Sequence, residues 1–454
     1  MNEVIFMNRY EIIYHDLKQD IATQKLKQGE RLPSISTLTK QYQCSKGTVI
    51  KALDLLCGQH IIFSKPKSGY YVANGLLPMQ ENLEGFYLDT GNPTIDAFPI
   101  LDIKHCLHLA ADLYAKHSLE IDLSGIPSLN ALLVNHLATE GVYSKSENIH
   151  LIQGIIPMLT FLTLAPFPNQ KETILIEQPC FSYYVAFLKQ TNVTVKTINR
   201  DEFGIDLQQL EYHFKHDDIK FFYTIPRNHN PLGTSYTAKQ RKKIMELAIK
   251  YNVYVIEDDY FGNIHKLAKY SPLHFFSYGE KCIHLRSYSK EFPFIRIGVA
   301  VIPDSFQETF DQIANQAYYY SYHMPNLISQ ATLEAYIQSS IQEKHAIHLH
   351  QTIQKKLALV RKIATSWNPE VVRLIGATSG YYFTLKINPK LPVEYLIDVL
   401  EKKHIFTTSN SGAFYENDQF DNSLRLSVAR IPLAHLKEIL PVIYDHILNL
   451  VNMQ

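Results

Sequence analysis

Two apolar runs, Val253-Tyr254-Val255-Ile256 and Cys282-Ile283-His284-Leu285, each end in a group of residues suited to chemistry. Glu257-Asp258-Asp259-Tyr260 follows the first and Ser287-Tyr288-Ser289-Lys290 the second. In an open α/β sheet, residues just beyond the carboxyl ends of strands converge on the ligand crevice. The chain upstream supports such a sheet. Apolar Thr173-Ile174-Leu175-Ile176, helical Phe181–Leu188, apolar Phe221-Phe222-Tyr223-Thr224 and helical Ala238–Tyr251 alternate before 253–256, the pattern of a largely parallel sheet covered by helices. From about residue 325 a long helical stretch leads into a closing segment with strands at Tyr381–Leu385 and Leu424–Val428. The fold class read here is α/β, with a mainly parallel central sheet and a small α+β lobe over about 325–454.

A chain of 454 residues exceeds one ordinary core, so two or three domains are expected. Its 46% hydrophobic and 19% charged residues give the balance of a globular protein. No apolar run is long enough to span a bilayer, and no secretory leader pattern opens the chain, which argues for the cytoplasm and against a membrane. The five cysteines are scattered without CxxC spacing, so neither a metal site nor a disulfide framework is expected. The formal charge of zero hides an asymmetry. Residues 1–75 hold ten Lys/Arg and six Asp/Glu, a net +4 that leaves −4 for the rest. That excess permits nucleic-acid binding without demanding it.

The head has an order of its own. Apolar Ile12, Ile13, Leu17 and Ile21 recur at helical spacing from Tyr10 to about Gln24. Leu32-Pro33-Ser34 stops the chain and restarts it, with Ser34 as cap of a short second helix through Leu38. Ser45 caps a third helix, with Val49, Ala52, Leu55 and Leu56 on its buried side and Lys46, Thr48 and Lys51 on the other. Ile61-Ile62-Phe63, a turn holding Lys65 and Lys67, and Tyr70-Tyr71-Val72 read as a hairpin. Three helices and a basic-tipped hairpin make a winged helix-turn-helix. Its third helix would enter the major groove, with the wing lysines near phosphates. The plainer alternative is a three-helix protein-interaction module. Polar, irregular residues from Asn74 to about Glu84 form a linker, giving domains 1–74, 75–84 and 85–454.

Pyridoxal 5'-phosphate (PLP) asks a protein for an amine, an acid at the ring nitrogen, donors for the ring oxygen and a phosphate cradle. Lys290 would form the Schiff base and Asp258 would keep the pyridine nitrogen protonated. Tyr260 and Asn230 would hydrogen-bond the ring hydroxyl. Ser287, Ser289 and Arg296 would hold the phosphate, with backbone N–H groups at the helix start after Gly154. Arg425 is a fork for a ligand carboxylate. Singly, each has an ordinary explanation: an exposed turn, acids capping a helix, a turn at Asn230-Pro231-Leu232-Gly233, a surface salt bridge. Their order and spacing together make the case.

The head resembles the GntR-type regulators in Gly29, Arg31-Leu32-Pro33-Ser34, Thr48-Val49 and Gly69-Tyr70-Tyr71-Val72. Ser36 and Lys46 stand where that family usually has arginine. The resemblance implies a DNA-facing set of Arg31, Ser34, Ser36, Ser45, Lys46, Thr48, Lys51, Lys65, Lys67 and Gly69. From about residue 85 to 450 the chain resembles fold-type I aminotransferases: Asn230-Pro231-Leu232-Gly233, Asp258 with Tyr260, Ser287-x-Ser289-Lys290, Arg296 and Arg425 fall in that family's order. The two parts together resemble the MocR subfamily, where Glu257-Asp258-Asp259-Tyr260 and Glu177-Gln178-Pro179-Cys180-Phe181 are familiar; Phe181 is thereby implied as a cofactor contact. Gly154-Ile155-Ile156-Pro157 replaces a Gly-Ala-Gln-Gln phosphate helix and removes polar side chains and one N–H.

The reading that follows is a transcription regulator, a head-to-tail homodimer on double-stranded promoter half-sites. Its body would bind PLP and sense a small amino compound or PLP itself. Two rivals stand beside it: a working PLP-dependent aminotransferase with an appended DNA-binding head, and a body that has lost PLP and only dimerises. Lys290, Asp258 and Arg425 are the parts the first rival needs. Their joint retention argues against the second.

Overall fold

The computed structural model describes residues 8–59, 61–66, 68–73, 85–94, 98–115, 125–262, 270–321 and 324–452. The chain divides into two compact units, 1–84 and 85–454. Lys67 and the linker 75–84 lie outside the described residues.

The first unit holds α1 (Arg9–Ala22), α2 (Ile35–Gln41) and α3 (Lys46–Gly58), then the antiparallel hairpin β1 (Ile62–Lys65) and β2 (Gly69–Val72). Both serine caps form. Ser34 Oγ accepts from the Thr37 N–H at 3.1 Å and Ser45 Oγ from the Thr48 N–H at 3.2 Å, satisfying a donor that each helix start would otherwise leave open. Ile13, Leu17, Leu38, Val49 and Leu56 close one core under the hairpin residues Ile62 and Val72. One expectation fails here. Leu55 is 41% exposed, and Leu53 is buried in its place. At 3.6 residues per turn, Leu53 lies four residues from Val49 and three from Leu56, on their face of the helix, whereas Leu55 turns away from it.

The second unit opens with β3 (Phe86–Tyr87), α4 (Ile100–Tyr114), α5 (Pro127–Thr139), β4 (Ile149–Ile152), α6 (Ile155–Leu164), β5 (Thr173–Gln178), α7 (Ser182–Lys189), β6 (Val195–Asp201) and β7 (Gly204–Ile205). It continues through α8 (Leu207–His216), β8 (Ile219–Thr224), α9 (Ala238–Lys250), β9 (Tyr254–Asp259), α10 (Leu273–Ser277), β10 (Cys282–Ser287), β11 (Gly298–Val301), α11 (Asp304–Ser321) and α12 (Leu327–Gln338). The last part is α13 (Ile341–Ala364), β12 (Val372–Gly376), β13 (Tyr382–Ile387), α14 (Val393–Glu401), β14 (Ile405–Phe406), β15 (Thr408–Ser409), β16 (Ser423–Ser427) and α15 (Leu433–Asn452).

The central sheet has eight strands in the order β4-β11-β10-β9-β8-β5-β6-β7. From β10 to β6 neighbouring strands are parallel, and the margins are antiparallel. The inner strands β5, β8, β9 and β10 are buried at every position, as a parallel sheet covered on both faces requires. Their carboxyl ends therefore open on one edge. A four-stranded sheet, β12-β13-β16-β15, builds the small lobe, and β14 pairs with β3 beside it. The long helical stretch divides between lobes. Ala331, Leu333 and Tyr336 of α12 pack with α4 and α5 in the large lobe, while Ile353, Leu357 and Val360 of α13 join the small-lobe core. No helix among the described residues is long and apolar enough to cross a membrane.

Leu53→Ala should cost about 2–5 kcal/mol of head stability, whereas Leu55→Ala should stay within about 0.5 kcal/mol. Denaturant unfolding of the two variants beside the parent measures the difference.

Candidate cofactor and ligand site

Both chemistry-bearing strands run further than their apolar cores. β9 continues through Asp259 and β10 through Ser287, so Asp258 and Ser287 stand on strands and are held more rigidly than loop residues. Alternation along β9 then separates the acids. Glu257 accepts from the N–H groups of Leu273 at 2.7 Å and His274 at 3.0 Å, at the start of α10, and meets His284 Nδ1 at 3.0 Å. Asp259 takes both guanidinium arms of Arg227, Nε at 2.6 Å. Asp258 has neither kind of partner. Tyr223 donates to its Oδ2 at 2.6 Å, and its buried Oδ1 has no partner. Burial pushes the Asp258 carboxyl up, with Tyr223 opposing and Asp259 adding to the rise, to about 7.

Lys290 lies just past β10, half-buried, and donates to the carbonyl oxygen of Gly91 at 2.9 Å and to Asn92 Oδ1 at 2.6 Å. Desolvation, then the positive charges of Arg425 and Arg296, bring its pKa down to about 8, with Asp258 pulling the other way. Arg425, on β16, donates to the Asp89 carbonyl at 2.5 Å and more weakly to Asn230 Oδ1 at 3.4 Å. Its guanidinium lies 5.0 Å from the Tyr382 ring centroid, and its Nε has no partner. Tyr260 donates to the carbonyl oxygen of Asn228 at 2.7 Å. Ser287 is buried and its Oγ accepts from the Ser289 N–H at 3.3 Å; Ser289 Oγ donates to Ile295 O at 3.4 Å. Arg296 is exposed. Gly154 caps α6 at φ +130°, and a Cβ there would meet nothing within 4 Å. That open helix start offers the N–H groups of Ile155 and Ile156, while Pro157 has none to give. Phe181 caps α7 with its ring 5.6 Å from that of Tyr183.

Lys290, Asp258, Arg425 and Asn230 thus meet where the strand ends face the small lobe. Three participants escape a reading by motif. Tyr223 is indistinguishable from its apolar neighbours in Phe221–Thr224. Asp89 acts through its carbonyl, which leaves no trace in side-chain identity. Gly91-Asn92-Pro93 reads only as a turn signal. The donor set fits PLP: an amine of lowered pKa, a buried carboxylate oxygen awaiting a donor, and a helix start with room for an anion.

On the head, Arg31, Ser34, Ser36, Ser45, Lys46, Lys51 and Lys65 are exposed, while Thr48 and Gly69 are half-buried. Arg31 bridges to Tyr71, and a Cβ on Gly69 would sit 3.2 Å from Arg31 Nε, so Arg31 lies beside the wing. The Lys51 ammonium lies 3.9 Å from the Tyr10 ring centroid, and Lys65 covers Tyr71 at 4.7 Å.

Comparison with known proteins divides the chain in the same way. Residues 9–72 match the model of bacterial regulatory proteins of the gntR family, and residues 88–443 match aminotransferase class I and II. The chain is 32% identical over 454 residues to the HTH-type transcriptional regulator YcxD of Bacillus subtilis (strain 168), covering 97% of this chain and 100% of that one. It is 23% identical to the HTH-type transcriptional regulator NorG of Staphylococcus aureus (strain USA300), covering 92% and 99%. The body superposes on Pyrococcus horikoshii kynurenine aminotransferase with a TM-score of 0.72 at 19% identity, over 81% of this chain and 91% of that chain. LysN, the alpha-aminoadipate aminotransferase of Thermus thermophilus, was solved with N-(5'-phosphopyridoxyl)-L-leucine and gives 0.70 at 19%, over 82% and 94%. At such identities the likeness to the two enzymes is one of fold.

Only a neutral amine attacks an aldehyde, so adduct formation at Lys290 should rise with pH around a midpoint near 8. Arg425→Met removes a like charge and should move that midpoint up, toward the ordinary lysine value of 10.5. Trapping the adduct of a small aromatic aldehyde with borohydride, and weighing the labelled protein across pH, reads both.

Proposed function

Because the chain belongs to the MocR-type HTH transcriptional regulators, a GntR-type head on an aminotransferase class I and II body, we propose that it binds promoter DNA through the head and senses a small amino compound, or PLP itself, through the body. The observation that carries the sensing reading is the grip of two cations on one segment. Lys290 holds Gly91 and Asn92, and Arg425 holds Asp89, in the stretch that follows the linker in the chain. A ligand with an amine-reactive cofactor at one end and a carboxylate at the other competes for both cations at once. It therefore binds the free and the engaged arrangements of residues 89–92 with different affinity, which is what a switch requires.

PLP, when bound, supplies an aldehyde for the lysine and an electron-accepting ring. Asp258 Oδ1 would receive the ring N–H, and Tyr260 with Asn230 would face the ring hydroxyl. Ser287, Ser289, Arg296 and the start of α6 would hold the phosphate, with Phe181 against the ring. Arg425 would fork the carboxylate of an amino-acid ligand. A head-to-tail dimer would present two heads to two half-sites in the cytoplasm.

Two measurements test the reading. With PLP added, the parent should develop a visible band that borohydride bleaches, and Lys290→Ala should show none; a parent without the band removes the sensing function. Fluorescence anisotropy against promoter DNA at several salt concentrations reads the head. Lys46→Ala and Lys65→Ala should each weaken binding and lower the salt slope by about one. Keto acid produced over many turnovers would instead favour the aminotransferase alternative, for which Lys290, Asp258 and Arg425 are the necessary parts.

A further inference from the structure

We infer that Tyr223 is a positioning residue of the PLP site: its hydroxyl fixes the Asp258 carboxylate, keeping it ionised with Oδ1 turned to the ring nitrogen. This rests on the cofactor reading above and concerns a residue outside the motifs that carry it.

The register places it. Tyr223 on β8 pairs with Ile256 on β9, so Asp258, two residues on, emerges on the same face of the sheet. Tyr223 is fully buried, and its ring meets Tyr184 edge-on with centroids 4.7 Å apart. Tyr184 is in turn tied through its hydroxyl to Thr163 Oγ1 at 2.9 Å. The phenol therefore cannot swing away. A buried tyrosine hydroxyl needs an acceptor, and Asp258 Oδ2 at 2.6 Å supplies it. That bond fixes the carboxylate plane and leaves Oδ1 as the free acceptor.

The surroundings give this one donor unusual weight. Around Asp258 stand Asp259 and Tyr260 from its own strand end, His284 from β10, Cys180 after β5, and Lys290. His284 and Asp259 are already engaged with Glu257 and Arg227. Burial and the Asp259 charge favour the protonated acid; the Tyr223 hydrogen bond, the Tyr260 backbone and the His284 ring oppose them. Without the hydroxyl, Oδ2 loses its side-chain donor, and the carboxyl keeps its proton to higher pH than in the parent, where the Tyr223 bond opposes the rise to about 7. A neutral acid no longer holds a proton on the ring nitrogen. The positive charge it placed near the lysine nitrogen disappears, so that nitrogen keeps its own proton to higher pH.

The experiment uses the full chain with PLP, following the visible band as a function of pH and of cofactor concentration. Parent, Tyr223→Phe, Asp258→Asn and the double variant are compared. Tyr223→Phe keeps the ring and its packing. It should weaken PLP binding about tenfold and raise the pH midpoint of the band by about one unit. In the Asp258→Asn background the same change should add nothing, because Tyr223 acts through Asp258. Parent-like affinity and midpoint in Tyr223→Phe would overturn the inference. So would equal losses in both backgrounds, the signature of a merely structural tyrosine. A parent without a borohydride-sensitive band removes the cofactor reading, and the inference with it.

Discussion

Three consecutive carboxylates, Glu257, Asp258 and Asp259, are almost wholly buried in one strand, and the way each is compensated organises the body. An uncompensated buried charge costs several kcal/mol after relaxation. Glu257 recovers that cost from the start of α10 and from His284, and Asp259 from the fork of Arg227. These bonds fasten β9 to the helix beside it and to the segment leading into Asn230. Asp258 faces the other way with one donor for two oxygens. A buried carboxylate oxygen left open beside two fully engaged acids calls for a reason, and a ligand N–H is the simplest that chemistry offers.

The lysine is held by a second buried network. Glu291, the residue after Lys290, pairs with Arg286, which also bonds Glu140 through Nε at 3.0 Å, and Gln342 donates to Glu291 at 2.6 Å. Two carboxylates share one guanidinium. Burial and the neighbouring Glu140 hold the Glu291 carboxyl above its usual range, while Glu140, despite its own burial, is drawn down to about 2 by Arg286. The backbone on the far side of Lys290 is thereby tied to α13. On the near side, the Asn230–Gly233 turn presses on the small lobe so closely that a Cβ on Gly233 would sit 2.0 Å from the Tyr382 carbonyl oxygen. That approach brings Asn230 toward Arg425, which lies on β16, paired with the Tyr382 strand.

Much of this site was legible because its side chains are chemically rare in buried strands. A lysine, an aspartate and an arginine beside apolar runs stand out wherever they fall. Tyr223 did not, because tyrosine belongs equally to the apolar composition of a strand and only the register with β9 reveals its hydroxyl at work. The role of residues 89–92 escaped for another reason: two of their contacts are made by carbonyl oxygens, which every residue possesses. In the head, caps and wing followed from local chemistry. Leu55 misled because an apolar side chain one turn-step off the core face looks the same in composition as one on it, and only the helical phase separates it from Leu53. The acids next to Asp258 show both outcomes in one motif: Glu257 does cap a helix, as adjacent acids commonly do, while its neighbour does not.

A phosphorylated ring bound as proposed would divide its demands between the start of α6 and the end of β9. A helix start binds an anion through its first N–H groups and the dipole behind them. Here Pro157 withdraws one of those groups, and Ile155 and Ile156 add no side-chain donor. The conformation that opens the site, Gly154 at φ +130° with no atom within 4 Å of a Cβ, is nevertheless kept. That start would leave space for a phosphate while offering it fewer hydrogen bonds. Under the proposed PLP reading the balance would shift to the ring end, where the Asp258 pair and the lysine bond would carry more of the hold. A site weighted in that way would gain or lose its occupant according to what happens at Lys290 and Asp258. These are the groups that face Arg425, the segment 89–92 and any amine that enters.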